Sequence, residues 1–386
     1  MNEMFEQMRI EMKRYIKSRF AFFSFLLLAL LFLASLFSGL AKANTQQLTM
    51  LGAIQETTSQ VEAKANQLSK EKKTEEADRE KERLTYLEPL ISAYSSTGDA
   101  QTRNELNLAY ANFNLQEFAA ERQKDIQLIS YPNKEQEITQ ASLQQDVLYY
   151  QYLVDHKLTE VLDSRNQPAV NYLSNQLIYR ISSILLFAFL AIQAAHFFML
   201  DKRQGSIRFL NVLPISKHKL VMSKVWTFFL LNTGLFIVVA VIALVVVTLL
   251  NGFGHLSTPI VQSMVGKTDV ATIGEFLLAY SGLFIAGVFF ISMFSAFISL
   301  FTRYFISHIA WIFALLVVVQ FGWLQANNAH EWFYYLPFHY LDISTMLFGE
   351  TSMFMHPIGL GAVILIDWAV VFYVCILLTF GFRKRL

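Results

Sequence analysis

The chain has 386 residues, of which 54% are hydrophobic and only 16% charged, with a formal net charge of +1. Soluble domains carry about 25% charged residues. This deficit, gathered into long apolar runs, excludes an ordinary soluble domain and marks an integral membrane protein. The basic residues are spread over the flanks of those runs and offer no surface for nucleic acid. The single cysteine, Cys375, excludes a disulfide framework or a cysteine-based metal site within one chain.

Residues 1–19 predict an amphipathic helix. Met1, Phe5, Met8, Met12 and Tyr15 recur at helical spacing, with Glu6, Arg9, Lys13 and Lys17 off that stripe. Such a helix lies in the membrane interface; the plainer reading is a basic juxtamembrane flank. Residues 20–40 are long enough to span a bilayer, which takes about 20 residues. The run is followed by Ala41-Lys42-Ala43, which resembles a signal-peptidase site. Signal-peptide cores are shorter, about 7–15 residues, so this run predicts an uncleaved anchor.

Residues 42–176 form a polar insert. Leu51, Ile54, Thr58, Val61, Ala65 and Leu68 step by three and four, a heptad seam with one polar position. The charged run KEKKTEEADREKER follows, then Leu84, Leu87 and Leu90. One continuous helix from Thr45 to Glu88 would be about 65 Å long at 1.5 Å per residue. Ser95 to Asp99 predicts a turn. Residues 104–128 and 135–162 predict two more helices separated by Tyr131-Pro132-Asn133, the second carrying Tyr149, Tyr150 and Tyr152. Strand signals are absent here, so a helical hairpin or small bundle is expected. The charged run reads most simply as a solvated face, with a partner surface as the alternative.

Further candidate spans are 177–200, 225–250, 276–301, 305–325 and 358–382. The expected fold is an all-α integral membrane protein with six transmembrane helices, an N-terminal interfacial helix and an extracytoplasmic helical insert. Lys and Arg fall on one side: Arg9 to Arg19, Lys202 to Lys224, Arg303, and Arg383 to Arg385. The later loops opposite hold only Lys267. The positive-inside pattern puts both termini in the cytoplasm of a bacterial plasma membrane. The loop 251–275 is short and undistinguished. The region 326–357, with Trp332, Tyr335, Pro337, Phe338 and Tyr340, is too aromatic for open water and too broken by Pro337 and Gly349 to span. It predicts short re-entrant helices in the outer leaflet.

Catalytic signatures are missing. Gly266-Lys267-Thr268 ends like a phosphate-binding loop, but Val261 stands where the pattern needs Gly; His330-Glu331 starts like a zinc-protease motif, but position 334 is Tyr. His330, His339 and His356 share one loop, where interfacial hydrogen bonding is the simpler role than metal binding. Asp367 lies inside the sixth apolar run, where a charged side chain costs at least about 2.5–3.5 kcal/mol. It is a candidate for a translocation path, with Gln193 and His196; the alternative is a carboxyl holding helices together. Gly282, Ala286, Ser292 and Ala296 predict close helix packing.

The segment 201–224 combines basic charge with helix punctuation. Ser216 can cap a helix that begins at Lys217 and runs into the third span. Pro214 ends the helix before it, whose apolar edge is Ile207, Leu210 and Leu213. This segment resembles that of the permease subunits of type-2 ABC exporters. Those have an acidic residue and Gly after the second span, a Leu-rich turn, Pro, Ser, and Lys entering the third. Here the order is Asp201, Gly205, Leu210, Leu213, Pro214, Ser216, Lys224, with Asp where the family more often has Glu. Leu336-Pro337-Phe338 is similar to the family's outer re-entrant region. The long insert departs from compact members.

The resemblance implies two permease subunits, alike or different, in membrane lipid, paired with cytoplasmic ABC ATPase subunits that bind ATP and Mg. The permease itself would hold no cofactor and hydrolyse nothing. Asp201, Gly205, Arg208, Leu210, Pro214, Ser216, Lys217 and Lys224 would couple it to the ATPase. The expected cargo is an amphipathic peptide, antimicrobial or lipid-like compound. The alternatives are cation export, and a membrane sensor or scaffold whose insert binds an extracellular partner.

Overall fold

The computed structural model describes residues 2–39, 45–95, 99–122, 139–160, 167–206, 216–264, 267–320, 335–348 and 358–383. It divides into two units: 1–34, 172–253 and 275–386, and 35–171 with 254–274.

The first unit is built from apolar helices. Helix α1 (Asn2–Ile16) is followed by α2 (Arg19–Gly39), and their described parts meet at a 68° bend. The bend falls at Lys17 and Ser18, where the Ser18 hydroxyl accepts from the Ala21 amide at 3.1 Å and restarts the helix. A surface helix turning into an inserted one explains the switch from amphipathic to uniformly apolar sequence. In α1 the stripe is rotated from the expected one. Gln7, Met8, Glu11 and Tyr15 are buried, while Phe5 is 55% exposed.

In this unit α8 (Ser183–Gln204), α9 (Lys217–Asn251), α10 (Ile273–Ser299), α11 (Phe305–Gln320) and α13 (Ile358–Arg383) match the later apolar runs. Four described helices are long and apolar enough to cross a membrane, or up to five if the bent α1–α2 pair is one span. The described part of α11 is apolar but shorter than a span. An aromatic column joins the helices: Phe32 of α2 meets Phe236 of α9 at 5.7 Å, and Phe236 stacks on Phe284 of α10 at 4.1 Å. Close approach in α10 is hosted by Gly287, where a Cβ would stand 2.4 Å from the Phe187 ring. Gly282, expected in that role, has no neighbour within 4 Å of such a Cβ.

The second unit is an insert of helices α3 (Thr45–Lys70), α4 (Thr74–Ser95), α5 (Ala100–Ala119) and α6 (Gln140–Asp155), with the start of α7 (Ala169–Asn175). One continuous helix from Thr45 to Glu88 does not form, because the chain breaks at Glu71 to Lys73. Lys72 takes a left-handed φ of 60°, and α3 and α4 pack against each other. Folding back wins because it buries the heptad seam: Ile54 and Val61 join Leu87, Leu90, Tyr94, Tyr110 and Phe113 in one core. The charged run is not wholly a solvated face either. Glu80 and Arg83 are buried, Arg83 pairs with Glu80 at 2.8 Å, and Lys64 reaches Glu80 at 2.6 Å.

The loop expected to be featureless holds an antiparallel pair, β1 (Pro259–Met264) and β2 (Lys267–Thr272), with Val261 opposite Val270. It packs on α6. Lys267 and Thr268 therefore open a strand, not the helix that a phosphate-binding loop requires. The expected motifs at Ala41 to Ala43 and Tyr131 to Asn133 lie outside the described residues.

Candidate functional site

Helix α8 runs to Gln204 and stops at Gly205, which takes a left-handed φ of 69°. That conformation costs an L-residue about 1–2 kcal/mol, and glycine avoids the cost. The next helix, α9, starts at Lys217 behind Ser216, whose hydroxyl accepts from the Lys219 amide at 3.4 Å. Lys217 is exposed. The two termini flank residues 207–215. Arg208, Leu210 and Pro214 lie in that stretch, outside the described residues.

The two stalks of this segment are tied together by charge. Asp201, near the end of α8, accepts from the Lys224 ammonium of α9 through one oxygen. Its other oxygen accepts from Arg14 of α1 at 2.7 Å and from the Ser206 hydroxyl at 2.9 Å. Arg14 also donates to the Gln204 side chain. Glu11, one turn before Arg14, lies 3.9 Å from Lys224 and 3.9 Å from Arg14. The carboxylates are the buried members: their side chains are 5% (Asp201) and 4% (Glu11) exposed, against 13% for Lys224 and 32% for Arg14. Burial raises the Glu11 carboxyl above its ordinary value, partly offset by Lys224. A buried carboxylate with two cations and a hydroxyl around it has its desolvation offset by several charge-assisted bonds at once.

The neighbouring residue extends the contacts to the other side of the unit. Lys202 donates to the carbonyls of Ser299 and, at 2.6 Å, Thr302, where α10 ends. An ammonium at a helix C-terminus satisfies carbonyls that lack intrahelical partners and complements the dipole. Thr302 and Ser295 hydroxyls then flank the two ring nitrogens of His308 in α11, at 3.2 and 2.7 Å. Adjacent residues on α8 thus reach α1 and α9 through Asp201, and the end of α10 through Lys202, where Thr302 in turn meets His308 of α11.

Asp201 and Lys224 were legible as motif residues. Glu11, Arg14, Lys202, Gln204 and Ser206 were missed. Arg14 and Lys202 read only as topogenic charges, and their pairing spans 187 and about 100 residues of chain. The spacing of Gln7, Glu11 and Arg14 on one helical face was the only signal available.

The remaining candidates are dispersed. Gln193 accepts from the Tyr15 hydroxyl at 3.0 Å, and the His196 ring stacks on Phe20 at 3.9 Å. Both therefore belong to the packing of α1 and α2 on α8. Asp367 is exposed on α13, with no hydrogen bond or ion pair among the described residues. In the predicted re-entrant region, a 3-10 turn (Pro337–Leu341) and α12 (Ile343–Phe348) are described, and Trp332 is not. Tyr335 lends its carbonyl to Trp368 Nε1 at 2.7 Å. Pro337 and Tyr340 are buried, Phe338 partly so, and Tyr340 lies against Gly361, where a Cβ would come within 2.5 Å of its ring. Asp342 accepts from Ser183 at 3.1 Å, and Ser344 donates to the Leu177 carbonyl at 2.8 Å, fastening this region to the start of α8 and to the turn before it.

No curated protein and no solved structure matches the chain. A family model described as "ABC-2 family transporter protein" matches residues 8–384, nearly the whole sequence, and the chain belongs to that family of ABC-transporter membrane permeases.

Proposed function

We propose that this chain is the permease subunit of an ATP-driven exporter that moves an amphipathic compound outward, energised by a separate cytoplasmic ATPase that binds ATP and Mg. Two permeases, alike or different, form the path, with both termini cytoplasmic and the insert outside the cell. The segment 201–224 is the coupling element that the ATPase pushes.

The observation that carries this reading is the charge clamp on both stalks of that segment. A force applied between Gly205 and Ser216 meets two helices already joined by Asp201 and Lys224. It cannot displace one stalk without loading the other. Arg14 passes the same displacement to α1, and Lys202 passes it to the α10 terminus. Packed helices transmit such shifts because their interiors are dense and deform little.

Co-expression with a cytoplasmic ABC ATPase from the same source, followed by affinity purification, tests the pairing. The expected outcome is a stable complex whose ATPase activity is stimulated by reconstitution with the permease. Gly205→Val and Pro214→Ala should keep membrane insertion and complex formation while reducing export per ATP hydrolysed. Absence of any complex with that ATPase, or unchanged coupling in both variants, would overturn the reading.

A further inference from the structure

Asp367 sits nine positions into α13, about 13 Å along the helix from Ile358 at 1.5 Å per residue. That depth is close to the middle of a bilayer core about 30 Å thick. On the same helical face stand Val363, Val370, Val371, Val374 and Leu378, 45–54% exposed. The stripe is continuous along the helix, and the carboxylate is its one polar member. The exposed side of α9 shows the contrast: Ile237, Val238, Val241, Val245 and Leu249 are also exposed there, and that row suits lipid. A carboxylate in the same setting costs at least about 2.5–3.5 kcal/mol. Among the described residues no cation or hydroxyl offsets that cost. Asp201, by comparison, is surrounded by Arg14, Lys224 and Ser206. A lipid-covered α13 face would leave the Asp367 cost standing, and a protein cover without a polar partner would raise it. Water removes it.

We propose that the Asp367 face of α13 lines a water-filled path, and that Asp367 binds the positively charged group of what passes along it. That group is an organic ammonium on amphipathic cargo or an inorganic cation. The valine wall would take an apolar body while the carboxylate takes the charge. This deepens the permease reading by naming the charge of the cargo, and it rests on that reading only for the direction of movement.

The test uses the full chain in liposomes without the ATPase, so it stands or falls separately from the co-purification. In a Cys375→Ser background, Val363→Cys and Val371→Cys place a thiol one turn to either side of Asp367, and Val245→Cys on α9 serves as the lipid-facing control. Thiols react with water-soluble methanethiosulfonates as thiolates, which need water. Both α13 positions should label and Val245→Cys should not. The ethylammonium reagent should outpace the ethylsulfonate reagent about tenfold beyond their ratio for a small free thiol, equivalent to about 1.4 kcal/mol. Asp367→Asn should remove that preference. Tetraphenylphosphonium and sodium separate the two sources: slowing by the first assigns an organic cation, slowing by the second alone an inorganic one. Unreactive thiols at 363 and 371, a preference that survives Asp367→Asn, or protection by neither cation would each overturn the proposal.

Discussion

Two aspartates in the apolar helices of this chain meet opposite environments. Asp201 is buried at the end of α8 among Arg14, Lys224 and Ser206. Asp367 is exposed nine positions into α13, with valines around it and no partner among the described residues. The same side chain is a structural tie where cations converge on it and stands without a partner among the described residues of α13. The difference teaches that an intramembrane acid is interpretable only with its neighbours, because the surroundings decide whether its ionisation holds helices together or serves a ligand.

Substitutions should separate the two sharply. Asp201→Ala leaves Lys224 and Arg14 facing each other without their common carboxylate. It should cost about 3–5 kcal/mol, the usual penalty for stranding a buried charge, seen as a lower unfolding midpoint in detergent and reduced membrane abundance. Exchanging the pair, with Asp201→Lys and Lys224→Asp, should recover only part of it, because Arg14 then meets a lysine. Lys202→Met strips the cap from the α10 terminus and should cost about 1–3 kcal/mol for the orphaned carbonyls, read by the same melt. Gly205→Ala should cost about 1–2 kcal/mol through its left-handed φ.

Glu11→Gln should act in the other direction, and slightly. Burial raises the Glu11 pKa, so its ionised form opposes folding. The protonated carboxyl and Gln are equivalent below the ordinary value of 4.5. As pH rises through the raised value the native protein loses stability that the variant keeps. A variant midpoint above the native one at pH 8, converging at pH 4, is the expected result. The smallest stability effect belongs to Asp367→Asn, within about 0.5 kcal/mol, measured as an unchanged unfolding midpoint. A large loss there would make Asp367 a second structural tie and erase the contrast.

How far the sequence carried these conclusions varies with the distance of the contacts. Apolar run length fixed most helices to within a few residues: 276–301 became Ile273–Ser299. The Ser216 cap and the stop at Gly205 were legible because capping is local chemistry. In the insert the seam through Ile54 and Val61 was legible, but the fold-back at Lys72 was not. No Gly or Pro marks that turn, and the gain comes from burying Leu87 and Leu90 against α3. The β-pair was missed for a similar reason, since its short strands are supported by packing on α6.

By itself the sequence determined the membrane class, the helix positions, the capped break between α8 and α9, and the presence of an acid within α13. Composition, periodicity and caps act over a few residues, so they are readable without a fold. Only the tertiary structure decided that Asp201 gathers Arg14 and Lys224 while Asp367 gathers nothing among the described residues. Electrostatic environment is set by residues 23 and 187 positions away, and no local pattern encodes which distant helix a charge will meet.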